Sequence, residues 1–172
     1  VMAAGAALAS DSPAAQTLQY TVHRALSSSD ADNLRRVLVA ARQGDAARIR
    51  SAMGELSDPL ARKIALWALI DTNPDGMSYA ELDGARRDLA GWPGAARREA
   101  ATEKVLEGGG LSPQGIVDWF AGADPTTPQG AMALASAYQS IGQPAKAAAV
   151  IRTAWRTQPF DADVQQQMLT RF

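Results

Sequence analysis

The sequence predicts an all-α protein, a superhelical stack of eight to nine helices joined as hairpins. Three observations predict it. Apolar residues recur at i, i+3, i+4 and i+7 along most of the chain. No segment alternates apolar and polar residues with the period of two that a half-buried strand requires. Helix-opening signatures, either a cap residue followed by proline or a capping box, recur from Asp58 onward.

At 172 residues the chain is long enough for one domain with a real core or for one extended array of helix pairs. With 47% hydrophobic and 20% charged residues it does not have the composition of a disordered tail. The net charge is −1, so the bulk balance points to neither a nucleic-acid partner nor an acidic surface. The chain has no cysteine, which removes disulfides, thiolate metal sites and cysteine nucleophiles together. Its one histidine is His23, so neither a histidine metal cluster nor a Ser-His-Asp arrangement can be built within the chain. No run approaches the roughly 18 apolar residues of a membrane span.

Residues 1–29 are rich in Ala, Ser, Thr and Gln and end in Ser27-Ser28-Ser29; they read as a leader, with a helical patch near Leu18 to Leu26. Ala7-Leu8-Ala9 has the small-residue form of an export-signal cleavage site, the alternative being a flexible alanine-rich leader. The helical domain is expected over 30–172. Leu34, Val37, Leu38 and Ala41 form a first stripe that Gly44 stops, and Asp45 starts a second helix reaching about Leu56. Asp58-Pro59 opens a third, expected to be central because Leu60, Ile64, Leu66, Trp67, Leu69 and Ile70 spread around it.

After a loop at 72–77, Ser78-Tyr79-Ala80-Glu81 is a capping box, and its helix is expected to bury Tyr79, Leu82, Ala85 and Leu89. Trp92-Pro93-Gly94 breaks it, and the next helix runs to about Leu106 before Gly108-Gly109-Gly110. Ser112-Pro113 opens a short helix through Phe120, and Thr127-Pro128 repeats the device. Leu134, Ala135, Tyr138, Gly142, Ala147, Ile151, Ala154 and Pro159 then fall at the spacings of a helix hairpin that resembles a tetratricopeptide unit. A last helix, about 162–172, carries Val164, Met168, Leu169 and Phe172 on one side. That stripe is still running at Phe172, which reads as a cut through a longer protein.

The residues with chemical potential mostly have structural explanations. Asp71-Thr72-Asn73-Pro74-Asp75-Gly76 matches the first half of a calcium loop, but Leu82 stands where a bidentate carboxylate belongs, so a helix end and an Asn-Pro turn are the reading. Glu81 has a capping role, while Glu99, Glu103 and Glu107 repeat every four residues beside Lys104 and read as a solvated stripe. The pairs Arg35-Arg36, Arg62-Lys63, Arg86-Arg87 and Arg97-Arg98 lie among acids such as Asp58, Asp83, Asp88 and Glu99 and are likewise assigned to solvated faces. The three glycines read as a linker. Trp67, Trp119 and Trp155 sit among aliphatics and are assigned to core, which leaves Trp92, in a loop, as the candidate ligand platform. No catalytic, metal or cofactor residue is assigned.

Asp58-Pro59-Leu60-Ala61-Arg62-Lys63 with Leu66-Trp67, then Ser78-Tyr79-Ala80-Glu81-Leu82 and Trp92-Pro93, resemble the N-terminal helical region of soluble lytic murein transglycosylases. So do Leu111-Ser112-Pro113, Trp119-Phe120, Asp124-Pro125-Thr126-Thr127, Gly130, Gly142, Ala147-Ala148 and Ala154-Trp155-Arg156, in order and spacing over about 30–172. The resemblance implies an α-superhelical scaffold of an exported, periplasmic bacterial enzyme that cleaves the MurNAc–GlcNAc bond of peptidoglycan as a lyase. The catalytic Glu-Ser motif and the downstream Gly-Leu-Met-Gln of that family are not in this sequence. The chain alone is therefore expected to be noncatalytic and cofactor-free, its partners being peptidoglycan glycan strands through the full-length protein, its own downstream helical and catalytic domains, and other cell-wall proteins. A second reading from a different class is a stand-alone tetratricopeptide-like module that binds a protein partner.

Overall fold

The structure, a computed structural model, describes residues 25–172. The Ala7-Leu8-Ala9 triplet, His23 and most of the Leu18–Leu26 patch lie outside them, and the described end of that patch, 25–26, carries no regular structure. Among the described residues the fold is all-α, with nine α-helices, one 3-10 turn and no strand.

The helices are α1 Ser28–Arg42, α2 Ala46–Gly54, α3 Pro59–Thr72, α4 Tyr79–Asp88, α5 Ala95–Val105, α6 Pro113–Phe120, α7 Pro128–Ser140, α8 Pro144–Thr157 and α9 Ala162–Arg171; the 3-10 turn is Pro74–Gly76. The cap signatures place their starts. Asp45, Asp58, Ser112, Thr127 and Asp161 each accept the amide of the residue three ahead, and both bonds of the Ser78–Glu81 capping box are made. Ser27 caps α1 in the same way, so the serine run read as leader is the start of the first helix. Gly142, at φ +74°, turns the chain between α7 and α8 as its position predicts.

Substantial contacts run between helices one or two apart in chain order: α1 with α2 and α3, α2 with α3, α3 with α4, α4 with α5, α5 with α7, and α7 with α6, α8 and α9. That is the arrangement of a stack, in which each unit is partnered mainly by its neighbours. One core, containing Val37, Ile49, Ala65, Leu69, Leu82 and Leu89, fills the space among α1 to α5. The rest gathers on α7, whose residues 130–135 are all buried: Ala131, Met132 and Ala135 face α8 and α9, while Ala133, Leu134 and Ala137 pack with Leu106, Ile116 and Phe120. Small side chains let these neighbours approach closely. Helix α5 serves both sides, with Ala101 in the first core and Leu106, at its C-cap, in the α6–α7 cluster.

Several faces are turned from where the sequence pattern puts them. In α1 the buried line is Asp30, Asn33, Val37 and Ala40, and Leu38 is 41% exposed; Asn33 is drawn inward because its side-chain amide donates to the Glu55 carbonyl at the end of α2. In α3 the buried line is Ala61, Ala65, Ala68, Leu69 and Ile70, with Leu66 and Trp67 packed partly buried against the core, whereas Leu60 is 54% exposed. Tyr79 is half-buried, and Asp83 takes the inward place beside Leu82 and Ala85. On α9 only Val164 and Met168 are buried, whereas Leu169 is 61% exposed, because α9 rests on α7 alone among the substantial contacts. Trp155, assigned to core, is exposed on α8 and stacks on Phe160 at 4.7 Å.

Candidate functional site

The supposed glutamate stripe on α5 is the largest departure from the sequence reading. Glu99 and Glu107 are exposed, but Glu103 is only 2% exposed. Its carboxylate reaches the start of α7, accepting from the amide and hydroxyl of Thr127 at 2.7 Å each, and from the amide (2.9 Å) and hydroxyl (3.0 Å) of Thr126. Thr127 in turn accepts the Gly130 amide at 3.0 Å. The free amides and positive dipole end of α7 thus meet a negative charge delivered by another helix. Gly130 makes this possible: a Cβ there would stand 2.5 Å from Glu103 Oε2. Spacing along α5 carries no trace of this partner, since it arrives from the next hairpin. A helix-borne glycine just after Thr-Thr-Pro was the available signal.

A second buried charge, Arg98, belongs to the pair assigned to a solvated face. It is 2% exposed, and its guanidinium donates to the carbonyls of Pro93 at 2.6 Å and of Leu89 and Trp92 at 3.0 Å. Arg98 therefore closes the C-terminal end of α4, whose last carbonyls lack helical partners. Trp92, the predicted ligand platform, is half-buried and packs against the first core, while its carbonyl serves Arg98.

Three other carboxylates are held in place by donors. Asp30 accepts from the Ser57 amide and hydroxyl at 2.7 Å each and from the Asp58 amide at 3.2 Å, and these bonds hold its carboxyl below the usual range. The Ser78 amide and hydroxyl and then Arg50 do the same for Glu81. Burial pushes Asp83 up, but hydrogen bonds from Arg86 and the Trp119 indole, with the charge of Arg87, together hold it down. Arg86 also lies over the Trp119 ring, 5.3 Å from its centre.

The calcium-loop look-alike is a helix end. Asp71 pairs with Arg97 at 3.2 Å, Asn73 accepts the Gly76 amide at 3.1 Å, and Asp75 faces Lys104 at 3.9 Å. In the glycine run, Gly109 is more than a linker, because a Cβ there would stand 2.6 Å from the Tyr79 ring. An open hollow of about 550 Å³ lies against α1 and α2, with Val39, Ala40 and Ala52 at its base and Arg35, Arg36 and Arg48 around it. All three of those arginines are already engaged, Arg35 with Asp32 at 2.5 Å, Arg48 with Asp45 at 3.1 Å and Arg36 with the Asn33 side-chain oxygen at 3.3 Å.

The polar groups that sequence reasoning missed, Glu103, Arg98, Asp83 and Asp30, all close helix ends or join helices, and what the described surface offers a ligand is open hollows between helices. No helix among the described residues is long and apolar enough to cross a membrane. Comparison with known proteins gives no match: no family model, no curated protein and no solved structure is similar to this chain.

Proposed function

We propose that this chain is a noncatalytic helical scaffold of an exported peptidoglycan lytic transglycosylase, helping to position glycan strands or a catalytic domain during cell-wall cleavage. The observation that supports this reading is the structural work of the motifs that carry the resemblance. Asp58-Pro59, Ser78 with Glu81, Ser112-Pro113 and Thr127-Pro128 start successive helices, and Thr126, Thr127 and Gly130 form the joint with Glu103. They are the residues a stacked scaffold needs to fix the order and angle of its units.

The test is co-sedimentation of the purified chain with peptidoglycan sacculi, run beside a zymogram. Binding without a zone of lysis is expected. Lysis by this chain, or no binding at all, overturns the proposal.

The second reading, a tetratricopeptide-like protein-interaction module, draws on the α7–α8 hairpin, where Ala135, Ala147, Ile151 and Ala154 of the repeat-like pattern are buried together. Failure to bind sacculi combined with saturable binding of a peptide ligand would favour it.

A further inference from the structure

A groove runs between α2, α3 and α4. It consists of two adjoining hollows of about 370 and 410 Å³ that share Arg50, Met53, Leu66 and Asp88. Its floor is apolar, from Met53, Leu66 and Met77, and two of those three are methionines, which adapt their shape to an incoming surface. Along α4 it extends from Ala80 to Asp88, about 12 Å at the helical rise, the span of about four residues of extended chain.

Gly84 stands in this groove, in the middle of α4, and nothing among the described residues accounts for it. A Cβ at Gly84 would meet no atom within 4 Å, so alanine fits there and is the better helix former. The contrast with Gly130 is direct, since the absent Cβ there makes room for Glu103. A bare helix backbone at an apolar floor is what close approach by another chain requires.

Charge fixes the direction of the occupant. Arg62 and Lys63 both line one end; Arg62 Nε donates to the Leu56 carbonyl at 2.6 Å, but neither side chain forms an ion pair among the described residues. Arg50 is paired with Glu81 across the groove at 3.4 Å, and Asp88 stands on the α4 wall opposite the two cations.

We propose that this groove docks a short segment of a partner protein, with apolar side chains lying over Met53, Leu66 and Gly84 and a carboxylate at one end meeting Arg62 and Lys63. The inference does not depend on the peptidoglycan reading.

The test is selection of a displayed library of random heptapeptides on the full 172-residue chain, followed by fluorescence anisotropy of the recovered peptides. An apolar consensus ending in an acidic residue is expected, with binding that weakens as salt rises. Reversing both cations, with Arg62→Glu and Lys63→Glu, is expected to weaken binding about tenfold. Gly84→Leu fills the floor and is expected to abolish binding while the melting temperature stays at or above that of the wild type, which separates lost docking from lost folding. The proposal is overturned by no enriched peptide, a basic consensus, binding that survives Gly84→Leu, or self-association of the chain that Gly84→Leu removes. Sacculus binding that Gly84→Leu abolishes reassigns the groove to glycan and also overturns it, whereas sacculus binding unaffected by Gly84→Leu leaves the two proposals separate.

Discussion

Helices α3 and α7 begin with the same device at different depths in the stack. Each start has a hydroxyl residue, a cap and a proline in sequence, Ser57-Asp58-Pro59 and Thr126-Thr127-Pro128. Each also receives a carboxylate from the helix two places earlier, Asp30 from α1 and Glu103 from α5. At α3 the cap, Asp58, is itself an anion that accepts the Ala61 amide at 2.8 Å, so Asp30 shares the task. At α7 the cap is neutral Thr127, whose hydroxyl donates a hydrogen bond to Glu103, and the first turn holds no acid. Both starts thus have a cap and a carboxylate, but the edge of the stack has two acids at its helix start where the middle has one.

The largest effect should therefore come from Glu103→Ala. It leaves the buried amide and hydroxyl of Thr127, and those of the exposed Thr126, without their acceptor and should cost about 3 kcal/mol in a denaturant titration. Asp30→Ala should also lower the midpoint, but by less; an equal loss would show that Asp58 gives no backup. Next in size, Gly130→Ala should cost about 1–3 kcal/mol despite the better helix propensity of alanine, because the new methyl meets a carboxylate fixed by four donors. In a Glu103→Ala background that cost should vanish, and a double-mutant cycle that proves additive would rule out the steric link.

The effect of acid should be smaller and graded. The carboxyls of Asp30, Glu81 and Asp83 are all lowered on folding, so each contributes stability above its unfolded value and loses it as pH falls through the folded one. Stability should be flat above about pH 5 and decline below about pH 4. Asp30→Asn should flatten that decline, which urea midpoints measured from pH 6 to pH 2.5 will check. The smallest effect should be a gain. Ala121 closes α6 at φ +49°, a conformation that L residues occupy at a cost, and Ala121→Gly should raise stability by up to about 1 kcal/mol.

Helix starts were legible in the sequence because a cap acts within one turn. Asp45, Asp58, Ser78 with Glu81, Ser112 and Thr127 each bond three residues ahead, inside the window that a sequence pattern spans. Burial of charge was not legible, because its cause is remote. Glu103 with Lys104 and Glu107 looks the same whether or not a threonine pair 23 residues later arrives to cover it, and Arg98 beside Arg97 reads as surface until the Leu89–Pro93 turn folds over it. The apolar faces were legible in part: Val37, Leu69 and Ile70 are buried as expected, but α1 and α3 also bury alanine and asparagine toward close neighbours and leave Leu38 and Leu60 outside.

Helix α5, which places Ala101 in one core and Leu106 in the other while holding α7 through Glu103, bears on how the molecule comes apart. Arrays of stacked helices tend to fray unit by unit from their ends. A shared central strut works against that, because neither side can open without exposing part of the other. Amide hydrogen exchange should find α5 and α7 released together in the slowest class, with α9, seated on Val164 and Met168, freed well before them.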